Sequence, residues 1–104
     1  MTTDVQDDPA RRRYELTEDG AVVGFATYRM DGDLIDLIHT EVDPDRQGAG
    51  LAARLVEATL DDARRRHLGV LPHCPYIRHF IDSHADTYLD LVPVDRRAEF
   101  GWSA

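Results

Sequence analysis

HTEVDPDRQGAGLA, residues 39–52, is the stretch that decides the fold. It reads as the end of a β-strand, an acidic turn containing Gly48 and Gly50, and the start of a helix. Glycine lets the backbone approach a bulky group closely, and the free N–H groups of a first helical turn favour an anion. The stretch therefore predicts a phosphate or pyrophosphate site. A tight strand-to-helix turn without a ligand is the alternative that the pattern leaves open.

Upstream of this stretch the sequence predicts an antiparallel β-meander. Segments rich in strand-forming residues are separated by glycine-containing turns, and they cover residues 12–16, 21–29 and 34–42. The second turn has Asp31-Gly32 at its centre, which is a strong hairpin signal. Residues 1–10 are polar and acidic, so we predict a flexible N-terminal tail there.

Downstream, the hydrophobic period changes from that of a strand to that of a helix. Apolar residues recur at intervals of three and four between residues 48 and 67, and Gly69 follows as a helix stop. A short strand covers residues 70–74, and the helical crossover makes it parallel to the third strand. Pro75 then opens a second helix. These elements predict a mixed α/β (α+β) fold, with a β-meander, a β-α-β crossover and C-terminal helices.

The length of 104 residues fits one compact domain, which we place at residues 11–92. Residues 93–104 form a C-terminal tail in this interpretation. Its aromatic residues, Phe100 and Trp102, suggest that the tail docks on a surface that the sequence does not identify.

Charge and cysteine content narrow the function classes. A net charge of -8 argues against a general nucleic-acid binder and favours cationic partners such as amines. No apolar run is long enough to span a bilayer, so we expect no membrane partner. A single cysteine and the absence of a signal-peptide pattern predict a cytoplasmic protein.

Candidate catalytic side chains lie where the two parallel strands end, because ligands gather at the carboxyl ends of such strands. Strand alternation puts His39 and Glu41 on one face of the third strand. It puts Ile35 and Leu37 on that same face. A neighbouring His and Glu can act as a base and its orienting partner. A purely structural surface pair is the open alternative.

Cys74 ends the other strand, directly before Pro75. A helix N-terminus stabilises a thiolate, so Cys74 is a candidate nucleophile or proton acceptor. A small buried hydrophobe is the alternative. Tyr76 begins the helix and can either place a phenol near a leaving group or simply pack. The histidines near Cys74 have no recognised zinc-ligand spacing, so we predict no metal site.

Two motifs stand in order along the chain. The first is His39-Thr40-Glu41-Val42, followed by Gly48-Ala49-Gly50 at the start of a helix. The second is Pro72-His73-Cys74-Pro75-Tyr76. Together they resemble the small, single-domain branch of the GCN5-related N-acetyltransferase (GNAT) superfamily, over Val22 to Leu91. The resemblance implies a GNAT-like fold in which the parallel strand pair splays apart.

The resemblance also implies acetyl-CoA as the cofactor. The pyrophosphate would lie on the backbone amides of the glycine turn, and the pantetheine arm would run between the splayed strands. The implied cofactor-binding residues are Val42, Arg46, Gln47, Gly48, Ala49, Gly50, Leu51, Ala52 and Tyr76. A backbone N–H beside Val42 would polarise the acetyl carbonyl. Cys74 is the catalytic residue that the resemblance implies, and His39 and Glu41 are the catalytic pair that strand alternation predicts. We expect all three to share one crevice with the turn.

Two departures from the family pattern shape the functional hypotheses. Asp45 stands where the superfamily usually has Gln or Arg. The chain is also too short for the helices that form much of the acceptor pocket in larger members, which predicts an open site for a protein or polyamine acceptor.

Three functions follow as hypotheses. The first is an N-acetyltransferase that acts on an amine. The second is a non-catalytic acyl-CoA-binding module, and the third is a protein-interaction scaffold without a ligand. We expect a monomer or a weak homodimer.

Overall fold

The computed structural model describes residues 2–48 and 50–103. Its strands are β1 (Thr3–Asp8), β2 (Arg13–Glu18), β3 (Ala21–Asp31), β4 (Leu34–Val42) and β5 (Gly69–Pro72). Its α-helices are α1 (Leu51–Arg65), α2 (Pro75–Ser83) and α3 (Ala85–Tyr88). Shorter 3-10 helices cover Pro44–Arg46, Leu89–Leu91 and Val94–Phe100.

The strands form one sheet in the order of the sequence, β1-β2-β3-β4-β5. The first four are antiparallel to their neighbours, and β5 pairs parallel with β4 after the α1 crossover. The predicted meander, crossover and C-terminal helices are therefore confirmed. No helix within the described residues combines the length and apolar character that a bilayer crossing requires.

The N-terminal residues are ordered, so the predicted flexible tail is wrong for residues 3–8. They form β1, which pairs with β2 from Thr3↔Glu18 to Asp8↔Arg13. Asp7 accepts a hydrogen bond from the Tyr28 hydroxyl at 2.6 Å. The segment was predicted to be a tail because its composition is polar. It is a strand because β2 satisfies its backbone groups and side chains distant in sequence bind its carboxylates.

Helix α1 covers one face of the sheet, which we call the helical face. Its apolar stripe is fully buried and includes Leu55, Val56 and Leu60. On the sheet, Leu16 and Ala26 lie beneath it without exposure to solvent. We call the opposite side, which carries Phe25, His39 and Glu41, the open face.

A β-bulge at Ile38 changes the phase of β4. The register between β3 and β4 shifts there, so Ile38 is an extra residue in β4. Ile35 and Leu37 are consequently buried on the helical face, whereas His39 and Glu41 are exposed on the open face. The prediction that these four residues share one face is wrong for this reason.

The C-terminal segment packs against the end of β5. Phe100 is buried, and its ring stands edge-on to the His73 ring with 4.9 Å between centroids. The indole N–H of Trp102 donates to Asp82 in α2 at 3.0 Å. Through these contacts the C-terminal segment packs against His73, which follows β5, and against α2.

Two tyrosines of the sheet make stability depend on alkaline pH. Tyr14 donates to Asp62 at 2.5 Å, and Tyr28 donates to Asp7. Burial, followed by the bond to a carboxylate, raises the pKa of both phenols well above its usual range. A folded-state pKa above the unfolded value of about 10 gives stability below that pH, which is lost as the pH rises towards the folded value.

We expect the free energy of unfolding, measured by urea titration, to fall as the pH is raised above about 10. All 12 basic residues are arginine, so lysine titration cannot mask the effect. Tyr14→Phe should lower stability at pH 8 by about 1 kcal/mol and make the alkaline decline shallower. An alkaline decline as steep in Tyr14→Phe and Tyr28→Phe as in the wild type would contradict this assignment.

Candidate functional site

Strand β5 leaves β4 halfway along its length. The parallel pairing ends at Leu37↔Pro72, and β4 continues to Val42 without β5 beside it. Proline has no N–H to extend the ladder, and the next N–H, that of His73, donates back to Leu71 O at 3.0 Å. The chain therefore turns out of the sheet at this point, and a gap opens between the two strands.

The free edge of β4 presents backbone donors to this gap. The N–H of Asp43 donates to Val23 O in β3 at 2.7 Å. Because alternate residues of an antiparallel strand direct their backbone groups to opposite sides, the N–H groups of Thr40 and Val42 face the gap. An edge of this kind can pair with an extended ligand that carries amide groups.

The glycine turn begins at the end of β4. Gly48 and Gly50 have φ angles of +89° and +74°, and Gly50 immediately precedes α1. A Cβ at either position would meet no atom within 4 Å, so the positive φ requires glycine here and crowding by the protein does not. The space above the turn is open, and α1 has no side-chain cap there. Ala49 lies outside the described residues.

A cleft of about 450 Å³ joins the glycine turn to the free edge of β4, and we call it the edge cleft. Its lining comes from the end of β4, the turn, and the starts of α1 and α2. The lining residues are Thr40, Val42, Arg46, Gln47, Gly48, Gly50, Leu51, Ala52, Ala53 and Tyr76. The structure thus brings together every predicted cofactor-binding residue except Ala49, and it adds Thr40 and Ala53.

Ion pairing fixes the charged part of the cleft. Arg46 donates to Glu18 at 2.5 Å, which ties the turn to the end of β2. Gln47 Nε2 donates to Val42 O at 3.4 Å. Asp45 is exposed, is held through its N–H by Asp43 Oδ1 at 3.1 Å, and does not line the edge cleft.

Cys74 lies at the point where β4 and β5 separate, which we call the vertex of the gap. Its N–H donates to Leu37 O at 2.8 Å, and it is the N-cap residue of α2. The residue is 3% exposed, and its Sγ lies 3.5 Å from Thr40 Oγ1. The thiol is therefore a buried group that contacts the wall of the edge cleft.

His39 and Glu41 are neighbours, as the sequence predicts, with 3.3 Å between Nε2 and Oε1. Both side chains are more than half exposed. They lie on the open face and do not line the edge cleft, so the expected single crevice is instead two surfaces on opposite sides of β4. The bulge at Ile38 causes this separation.

Sequence reasoning missed a second polar pair at the vertex. Asp36 is buried on the open side of β4, and His73 Nδ1 lies 2.6 Å from its Oδ1. An acidic residue inside the apolar run Leu34-Ile35-Asp36-Leu37-Ile38 was the available signal, because a buried carboxylate needs a partner.

A gap between parallel strands beside a positive-φ glycine turn defines a class of protein that can bind an elongated, phosphorylated cofactor. Comparison with known proteins identifies the class. Residues 13–91 match the family described as GCN5-related N-acetyl-transferase. The chain therefore belongs to this family of N-acetyltransferases.

Solved structures share the fold. A GCN5-like protein from Staphylococcus aureus is 22% identical, with a TM-score of 0.66 over 86% of this chain and 87% of that one. The ribosomal-protein-S18-alanine N-acetyltransferase of Escherichia coli is 29% identical, with a TM-score of 0.53. The match covers 62% of this chain and 42% of the E. coli enzyme.

A third structure shares the fold at lower identity. It is the ribosomal-protein-alanine N-acetyltransferase of Brucella melitensis biovar Abortus 2308, which is 19% identical with a TM-score of 0.50. The match covers 78% of this chain and 61% of that chain. This chain thus spans less than two thirds of both ribosomal-protein acetyltransferases.

The burial of Cys74 gives a direct test of thiol access. We expect iodoacetamide to alkylate Cys74 at least about tenfold more slowly in the native protein than in urea, because labelling needs a local opening. Intact-mass spectrometry over time gives both rates, and the single cysteine makes the assignment unambiguous. Equal rates in the two states would show that the thiol is open to solvent.

Proposed function

We propose that this protein transfers the acetyl group of acetyl-CoA to an amine. The observation that carries the proposal is the free edge of β4 directly beside the glycine turn. The turn offers backbone N–H groups and a helix N-terminus to a pyrophosphate. The strand edge offers donors to the pantetheine arm and the thioester. Family membership supports acetyl-CoA as the donor.

The dimensions of the cleft suit an extended arm. From Val42 back to Ile38 the strand spans about 13 Å. A pantetheine arm that starts at the glycine turn and runs along this edge brings its thioester to the vertex, near Thr40 and Cys74. There the N–H of Thr40 can polarise the acetyl carbonyl and stabilise the oxyanion of the tetrahedral intermediate.

The acceptor amine approaches from the open face. Glu41 and His39 lie there, where the Glu41 carboxylate attracts a protonated amine and the pair is one candidate base for its proton. A hollow of about 320 Å³ beside Glu41 is lined by Arg13, Phe25 and Asp43 among others. This shallow surface suits an amine presented by a polypeptide or a polyamine. The E. coli relative, named for an alanine of ribosomal protein S18, supports the polypeptide.

Cys74 can enter this reaction in two ways. The amine can attack the thioester directly, or the thiol can first accept the acetyl group. Its burial and its contact with Thr40 favour direct attack, with Cys74 packing beside the thioester.

Thermal unfolding tests the cofactor. Acetyl-CoA at about a hundred times its dissociation constant should add about 2.7 kcal/mol of stability, a rise in Tm of about 10 °C for a domain of this size. Pantetheine without its phosphates should give little shift, because it lacks the group that the glycine turn binds. Equal shifts with both compounds would show that the glycine turn does not contribute to binding. No shift with either compound would show that acetyl-CoA does not bind.

Activity tests the turn and the transfer together. Peptides with free N-termini and polyamines are incubated with acetyl-CoA, and both CoA thiol and acetylated product are measured. Gly50→Ala should raise the KM for acetyl-CoA at least about tenfold, since the added methyl group strains a positive-φ residue at the pyrophosphate site. Gly32→Ala is the matched control, with φ +60° and equally open surroundings in the β3–β4 turn.

The two variants should lose similar stability, and Gly32→Ala should keep the wild-type KM. Equal kinetic effects would mean that the Gly50 defect is one of stability alone. Tight binding of acetyl-CoA without transfer to any amine would identify a non-catalytic module instead.

A further inference from the structure

Asp36 is a carboxylate placed where burial is costly. It belongs to an otherwise apolar part of β4, and only 9% of its side chain is exposed. His73 Nδ1 lies 2.6 Å from Oδ1, and Arg29 lies 3.4 Å from Oδ2. A buried carboxylate is tolerated when such partners are present, so the position of Asp36 fixes that of His73.

The contact with Asp36 determines the chemistry of the His73 ring. A carboxylate is an acceptor, so Nδ1 carries the proton and Nε2 is left as the basic nitrogen. Phe100 stands edge-on against the ring at 4.9 Å and restricts its rotation. About half of the side chain is exposed, so the ring is held in place and remains open to solvent.

His73 also lies close to the point where β4 and β5 separate. Leu37 and Pro72 are the last paired residues of β4 and β5, and His73 is the next residue of the chain. Its partner Asp36 is on the open face, because Asp36 pairs with and contacts Arg29 of β3 there. His73 therefore flanks the vertex of the gap on the side from which an acceptor would approach, while Cys74 contacts the cleft wall.

The other candidate base is less well fixed. His39 and Glu41 are 3.3 Å apart, and both side chains are more than half exposed on a strand edge. A base works best when a buried partner holds its tautomer and orientation. His39 and Glu41 suit the earlier step, in which the ammonium form of the acceptor is attracted to the open face.

We propose that His73 is the proton acceptor of the acetyl transfer and that Asp36 is its positioning residue. The inference rests on the proposed acetyltransferase function. His73 Nε2 takes one proton from the acceptor ammonium, and the amine nitrogen forms a bond to the acetyl carbon. The C–S bond then breaks, and the CoA thiolate takes the second proton lost by the nitrogen. The imidazolium, stabilised by Asp36, returns its proton to solvent.

The test compares two variants at His73 with a histidine control. His73→Gln keeps a donor for Asp36 but has no basic nitrogen, and His73→Ala leaves space for added imidazole. His67→Asn is the control, because it removes an exposed imidazole beyond the far end of α1, and Asn tolerates the φ of +57° found there. The measurements are kcat, KM for acetyl-CoA, the pH profile and the acetyl-CoA shift in Tm.

We expect kcat of His73→Gln to fall at least about 100-fold, with the KM for acetyl-CoA and the Tm shift unchanged. Imidazole should restore part of the activity of His73→Ala, and the loss of rate at low pH should be much weaker in His73→Gln. Asp36→Asn should lower kcat at least about tenfold, because the histidine loses its oriented tautomer. Arg29, which pairs with Asp36, and Glu99, on the last 3-10 helix, are further charges near His73, and all variants keep them.

Two results would contradict the assignment of His73 as the proton acceptor. One is wild-type turnover in His73→Gln, and the other is a defect in His73→Ala that added imidazole does not restore. A wild type that binds acetyl-CoA but transfers to no amine overturns the proposed function and the base together. A wild type whose Tm acetyl-CoA does not raise overturns the cofactor site itself. These outcomes separate the failure of His73 from the failure of the proposed function.

Discussion

Pro72 ends the ladder between β4 and β5, and the rest of the site depends on that ending. A proline cannot donate to the next strand, and the following N–H turns back onto Leu71. The N–H of Cys74 then donates to the carbonyl of Leu37, the last paired residue of β4, and Pro75 starts α2. The four residues from Pro72 to Pro75 thus lead the chain out of the sheet at the end of β5. They leave the end of β4 with backbone groups directed into a gap, and an extended ligand with amide groups is the natural partner for such an edge.

A second local feature divides the surroundings of this gap into two sides. The bulge at Ile38 turns Thr40 and Val42 towards α1 and turns His39 and Glu41 towards the open face. The glycine turn lies on the first side, and the polar pairs lie on the second. A donor cofactor and an acceptor can therefore approach β4 from opposite faces and meet at the vertex, where Cys74 and His73 follow each other in the chain.

Much of this architecture could be predicted from residues that act locally. Asp-Gly turns, a change of hydrophobic period after residue 48, and Pro75 at a helix start identify the meander and both main helices. The residues of the edge cleft were predicted because they are contiguous around the glycine turn and share a motif with a known family. Of the predicted cleft residues, only Tyr76 comes from a separate part of the chain.

Features that depend on distant partners were missed. β1 has polar composition, and only its pairing with β2 makes it a strand. The bulge at Ile38 is set by the register against β3, so strand alternation gave the wrong face for Ile35 and Leu37. The bond between Asp36 and His73 joins residues 37 positions apart, and no local pattern could pair them.

Amide NMR with acetyl-CoA tests whether the gap between β4 and β5 holds the cofactor. The backbone amides are assigned by residue, and acetyl-CoA is then added to saturation. We expect the largest shifts on Thr40, Val42, Gly48 and Gly50, and slower exchange of the Thr40 and Val42 amides with solvent. Shifts centred on β1 and the end of α1, with the amides of β4 unchanged, would contradict it.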